Sequence, residues 1–292
     1  MLCSAGMAVA SEAPASYRSS AARGGALQVI LEGFREVLSR RRLIRYLVRA
    51  DLKKKGADTL LGNVWWVVDP LLQMLVYVLL VALVFARAQP DFPLFLFCAI
   101  LPWKWFSSAV NDGITSVTAR ERIIKQVRFP KIVLPFAAAV GGVVNFAFGL
   151  IPLFGLMLLF YPSRISVLVL LIPVIAAVQF VFSLATSVFV GGVNVFFRDI
   201  ANVARHGLRL WFYLSPALYA FEDVAGRMDG LVGRVLSLNP WTPLFESYRA
   251  VIYEETLPDW GGLAVLLIVS LVALCLATLF FKRVEPSFAK VL

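Results

Sequence analysis

Two charge-free stretches decide what this chain can fold into. Between Lys131 and Arg164 lie 32 residues without Asp, Glu, Lys or Arg, and between Arg164 and Arg198 lie another 33. About 20 apolar residues cross the ~30 Å hydrocarbon core of a bilayer at 1.5 Å per residue. The rest of the chain agrees: 60% of residues are hydrophobic and 16% charged, against about 45–50% and 25% in soluble domains. This excludes a soluble globule, a disordered chain and a disulfide scaffold, and predicts an all-α polytopic membrane protein. Cys98 and Cys275 sit inside apolar runs and read as small apolar side chains, while Cys3 lies in a polar tail.

Residues 1–24, rich in Ala, Ser, Gly and Arg, read as a disordered tail without the apolar core of a secretory signal. Residues 25–55 predict an amphipathic interface helix. Leu27, Ile30, Leu31, Phe34, Val37, Leu38, Ile44, Leu47 and Val48 recur at three- and four-residue spacing, the period of one helix face. The arginines between them, with Lys53, Lys54 and Lys55, suit a helix lying among anionic headgroups or packed on another protein.

A transmembrane domain is expected over residues 56–285, followed by a tail at 286–292. Its spans are placed at 64–85, 92–117, within 132–160, within 165–197, at 203–221 and at 261–281. The fifth is weak, because only residues 210–221 of it are free of charge. With six spans and the N-terminus inside, 22 Lys and Arg fall on the cytoplasmic side and 6 outside, which orients the chain with a cytoplasmic N-terminus. The count is the same if the fifth segment fails to cross, so charge alone leaves the last span's direction open. Residues 222–260 are too polar to span, yet carry apolar anchors broken by Asn239-Pro240 and Thr242-Pro243. They fit either two helices that dip into the membrane and return, or an extramembrane loop.

Catalytic signatures are sparse. No G-x-x-x-x-G-K-[ST] phosphate loop or H-E-x-x-H pattern occurs, and His206 is the single histidine. An intramembrane transferase would need deep carboxylates or histidines as acid, base or metal ligand. Asp69, Lys104 and Asp112 come nearest. Asp69 reads as a functional carboxylate or a local cap, Lys104 as a lysine snorkelling between Trp103 and Trp105, and Asp112 as a conduit end or a partner for a loop arginine.

Four motifs stand in order along residues 45–285. They are the run from Asp51 to Pro70, containing Gly62-Asn63-Val64-Trp65-Trp66; the loop Arg122-Ile123-Ile124-Lys125-Gln126-Val127-Arg128-Phe129-Pro130-Lys131; Asn194-Val195-Phe196-Phe197-Arg198-Asp199; and Leu238-Asn239-Pro240. Together they resemble the permease subunits of bacterial ABC exporters for O-antigen, capsule and teichoic acid. Gly56, where that family usually has an aromatic, and Arg120-Glu121, where an Asn is common, depart from its pattern.

The resemblance implies a homodimer of six-span subunits in the bacterial inner membrane, with both termini cytoplasmic. It implies two copies of a separate ATP-binding cassette subunit that hold ATP and Mg, so that this chain binds no cofactor or metal and has no catalytic residue. Residues 224–258 become re-entrant gate helices, with Asn239, Pro240 and Trp241 in the gate. Arg122, Lys125, Arg128, Phe129, Pro130, Phe197, Arg198 and Asp199 become the ATPase-coupling residues, with Phe129-Pro130 ending the short helix of the first loop. The expected cargo is a lipid-linked glycan or polyol phosphate, and nucleic acid is not a partner.

Trp65, Trp66, Tyr77, Trp211, Tyr213 and Tyr219 are candidates for the conduit lining, because sugar C–H faces suit aromatic rings with polar tips. The same rings also fit a headgroup belt. An exporter of a smaller lipid or drug, an intramembrane transferase and a membrane scaffold are the competing readings. The transferase lacks its acids and bases, and the scaffold leaves the Phe129-Pro130 and Arg198-Asp199 elements without a purpose.

Overall fold

The structure, a computed structural model, describes residues 25–56, 61–84, 91–219 and 236–292. The expected tail at 1–24 and the first third of the expected gate segment, up to residue 235, lie outside the described residues. Among the described residues the regular structure is helical throughout. In chain order the helices are α1 (Ala26–Ser39), α2 (Arg41–Gly56), α3 (Trp65–Val84), α4 (Phe92–Ser116), α5 (Glu121–Gln126) and α6 (Val133–Phe160). They continue as α7 (Ile172–Asn194), α8 (Ile200–Leu214), α9 (Trp241–Arg249), α10 (Trp260–Val284) and α11 (Phe288–Val291). Four segments among the described residues are long and apolar enough to cross a membrane: α4, α6, α7 with the turn that opens it, and α10. Helix α3 is apolar and 20 residues long. Helix α8, where the weak fifth span was expected, has 15 residues and reaches only about 22 Å.

Helix α4 is the hub. Some 78% of its most apolar stretch is buried, against 28–33% in the other three long spans. Small residues let α7 approach it. A Cβ on Gly191 would stand 2.8 Å from the Gly113 carbonyl oxygen, and one on Gly113 would stand 2.8 Å from Ser187 Cβ. Close backbone approach of this kind substitutes for the missing hydrophobic drive between helices in lipid. Polar side chains then bond across the seam: Ser187 Oγ donates to the Ala109 carbonyl at 2.9 Å and Asn194 Nδ2 to the Ile114 carbonyl at 2.9 Å.

The expected single N-terminal helix is two helices. Ser39 Oγ donates to the Glu36 carbonyl at 2.9 Å, and the Arg40 amide splits between the Glu36 and Val37 carbonyls. Such local bonding competes with the helix ladder and breaks it at Arg40. Helix α1 buries Val29, Gly33 and Val37, with Gly33 against Thr278 of α10, while Leu27, Leu31 and Leu38 stay exposed. Wholly buried Lys282 pairs with Glu36 at 2.8 Å and Glu285 at 3.1 Å. Glu285 also accepts the Lys131 amide at 2.7 Å, so one ionic knot holds α1, the end of α10 and the start of α6.

Candidate functional site

At the α5 end of the bundle two short elements stand out from the packed core. Glu121–Gln126 forms one and a half turns, and Val127 then adopts an extended conformation, so the helix closes three residues before Phe129. Lys125 donates to Glu121 at 2.7 Å, and this hydrogen bond holds the Glu121 carboxyl below its ordinary range. Ile124 and Pro130 are buried, Phe129 is half-buried against the neighbouring core, and Arg122, Lys125 and Arg128 are exposed. Lys125, Arg128 and Phe129 line a groove of about 350 Å³ whose opposite wall includes Ala289 of α11. The loop is anchored from behind: Arg120 Nη2 reaches both oxygens of Asp51 on α2 at 2.6 Å.

The second element leads into α8. Phe197 is 66% exposed, Arg198 and Asp199 are exposed, and helix α8 begins at Ile200. Leu208 and Phe212 bury one face of α8, while Arg205, His206 and Arg209 face outward.

At its other end α8 enters an aromatic nest. Trp103, Phe106 and Phe182 each pack on both Trp211 and Trp241, with ring centroids 4.8–6.2 Å apart and edge to face. That geometry sets ring edges on the negative faces of their neighbours. Asn239 explains the Leu238-Asn239-Pro240 motif. Its Oδ1 accepts the Trp211 indole N–H at 3.2 Å and the Trp241 amide at 3.1 Å, and its Nδ2 donates to Ser215 Oγ at 2.9 Å. One side chain thus ties the end of α8 to the start of α9, with Pro240 opening that helix.

Helix α9 ends on Arg249, which is 2% exposed. Its guanidinium donates to the carbonyls of Pro216 and Ala217 at 2.7 Å and of Tyr219 at 3.3 Å, and lies 3.6 Å from the Phe95 ring centroid. Three carbonyl oxygens and an aromatic face are the partners of this buried cation. The preceding residue, Tyr248, donates to Gln179 at 2.9 Å, and Gln179 donates to the Pro102 carbonyl at 2.8 Å. Further along, Arg164 pairs with Asp91 at 3.0 Å, donates to the Tyr253 carbonyl at 3.1 Å and lies over the Tyr253 ring. Its bond to Asp91 raises the guanidinium pKa further above its ordinary value.

The six conduit candidates divide. Tyr77 on α3 meets α8, its hydroxyl 3.4 Å from that of Tyr213 and its ring against Phe212. Trp211 lies in the nest, and the Tyr219 hydroxyl reaches the Leu214 carbonyl at 3.5 Å. Trp65 and Trp66 stand apart, on a cavity with Asp69 and Lys104. Asp69 and Lys104 pair with each other. Asp112 pairs with Lys55 at 2.5 Å rather than with a loop arginine.

Sequence reasoning gave neither Arg249 nor Gln179 a role. A signal existed for the second. Gln179 and Asn194 are the two amides of a 33-residue charge-free run, and a side-chain amide in hydrocarbon needs a partner. Among the described residues no group of three or more His, Cys, Asp or Glu is placed to hold a metal.

Fold and site together define a helical membrane protein whose long apolar spans carry short exposed elements at one end. The profile described as ABC-2 type transporter matches residues 42–253, and the chain belongs to that family. Membership implies a multi-pass membrane subunit that works with an ATP-binding cassette partner. The chain is 36% identical over 256 residues to the O-antigen export system permease protein RfbA of Myxococcus xanthus, a match covering 88% of this chain and 97% of the relative. It is 28% identical over 251 residues to the RfbA permease protein of Klebsiella pneumoniae, covering 86% of this chain and 95% of that one.

Proposed function

We propose that the chain is the membrane-spanning subunit of an ATP-driven exporter that moves a lipid-linked polysaccharide from the cytosolic face across the bacterial inner membrane. The observation that carries this reading is the 36% identity, along nearly the whole of both chains, to a permease named for O-antigen export. Six spans would be α3, α4, α6, α7, the segment that contains α8, and α10. Both termini then lie in the cytosol, with α1 and α2 at the cytosolic headgroups, and α9 and the residues before it form the re-entrant gate. Two such subunits would pair around the conduit, each served by an ATP-binding cassette chain that holds the ATP and Mg.

The arrangement suggests a lever. Closure of the ATPase pair pushes on the α5 loop, at Arg122, Lys125, Arg128 and Phe129-Pro130, and on Phe197-Arg198-Asp199. The latter triplet leads directly into α8. Helix α8 delivers the push some 22 Å away, where Asn239 and Arg249 join its far end to α9. A rigid helix tied at one end and free at the other transmits displacement instead of absorbing it. Tyr77, Trp211 and Tyr213, where α3 meets α8, are the aromatic surface best placed to meet a passing glycan.

The test is export itself. Deleting the gene in its native host should leave lipid-linked glycan on the cytosolic face and remove it from the cell surface, and the wild-type gene should restore it. Normal surface glycan with loss of a smaller lipid or drug from the export profile would overturn the cargo assignment.

A further inference from the structure

A cavity of about 290 Å³ opens on the flank of the bundle between α3, α4 and α6, away from the α3–α8 contact and the aromatic nest. Its wall changes character along the helices. Lys55 and Ser108 stand at the end nearer α5, Asp69, Lys104 and Asn145 come next, and Leu101, Phe146 and Gly149 line the far part. Trp65 and Trp66 stand beside the polar end. A polar mouth flanked by tryptophans, with an apolar slot running inward, is the profile of one leaflet from headgroup to acyl chain.

The charges in this wall come in pairs. Lys104 already faces Asp69, and Lys55 faces Asp112. A purely anionic head would displace a carboxylate from its lysine and leave it uncompensated. A head carrying both a phosphate and a primary ammonium exchanges pair for pair.

We propose that this cavity seats one glycerophospholipid of the cytosolic leaflet with a phosphoethanolamine head. The phosphate takes Lys104, the ammonium takes Asp69, and an acyl chain follows Leu101 and Gly149. Seated there, the lipid braces α3 against α4 and α6. The inference rests on the membrane placement of these three helices but not on the identity of the cargo, so a failed export assay leaves it standing.

The full chain should be purified from membranes in mild detergent, and its retained lipids quantified by mass spectrometry. Phosphatidylethanolamine should stay bound at about one per chain, enriched over phosphatidylglycerol relative to the parent membrane. The double change Lys104→Met with Asp69→Leu should lower retention at least about tenfold, because charge-assisted bonds are stronger. Should this variant fold poorly by thermal unfolding, the wild-type chain in nanodiscs decides. It should take up phosphatidylethanolamine in preference to phosphatidylcholine, whose head has no N–H donor. Retention in the proportions of the parent membrane, a preference for phosphatidylglycerol, or recovery of a glycan-linked diphosphate lipid instead would each overturn the assignment.

Discussion

The two ends of α8 are built in opposite ways. At the beginning, Phe197, Arg198 and Asp199 lie exposed on a short stretch of irregular chain. At the end, Trp211 and Phe212 are packed among aromatic rings, and Ser215 is held by Asn239. Exposed apolar and charged groups cost little where a partner will cover them. Buried polar groups are tolerated where every movement must be shared with a neighbour. The comparison teaches that one helix carries an exposed end, the docking end proposed above, and a locked end, and that substitutions should divide along that line.

The largest effect is expected at the locked end. Arg249→Met leaves three carbonyls without their donor in a buried site and should destabilise the protein by about 3 kcal/mol or more, read as a lowered midpoint of thermal unfolding in detergent. Arg249→Lys should recover only part of this, since an ammonium cannot reproduce the planar fork. Next comes the α4–α7 seam on which the locked end rests. Gly191→Ala drives a Cβ against the Gly113 carbonyl and should cost about 1–3 kcal/mol by the same measurement. Asn239→Ala removes three hydrogen bonds and should cost about 1–2 kcal/mol. Its loss of export should exceed that of an equally destabilising change elsewhere, because it cuts the joint between α8 and α9.

At the docking end stability should hardly respond. Phe197→Ala, at a side chain 66% exposed, should stay within about 0.5 kcal/mol of the parent while lowering the amount of ATPase recovered with the permease. Equal recovery would break the comparison. The smallest effect belongs to the Glu121–Lys125 pair. A carboxyl pKa held low contributes stability above the ordinary glutamate range and loses it as pH falls through the lowered value. Unfolding midpoints of Glu121→Gln and the parent should therefore differ slightly near neutrality and converge once the pH has fallen below the ordinary glutamate range.

Much of the fold was legible because a bilayer imposes simple rules. The charge-free runs around Phe146 and Val178 place α6 and α7, and Pro130 marks where the chain turns toward α6. The break at Arg40 was not legible, because it depends on a serine hydroxyl bonding its own helix. Of the candidate site, the exposed residues proposed for coupling follow from motif and charge, since surface groups need no three-dimensional partner to be recognised. Arg249 could not be read this way. Its partners in space, Phe95, Pro216, Ala217 and Tyr219, are at least 30 positions away in sequence. Nor could the division of the tryptophans be foreseen, with Trp65 and Trp66 on the flank cavity and Trp211 in the nest.

The central claim is that this chain supplies passage and a docking end, and a separate chain supplies hydrolysis. The most direct measurement is ATP turnover by the permease purified alone, and then with its ATPase partner, each in proteoliposomes, for the parent and for Phe129→Ala with Arg198→Glu. The account predicts no turnover by the permease alone. It predicts a stable complex with the parent, and loss of the partner or of ATP-driven export in the double variant at an unchanged unfolding midpoint. Hydrolysis by the permease alone, or normal export by the double variant, would contradict it.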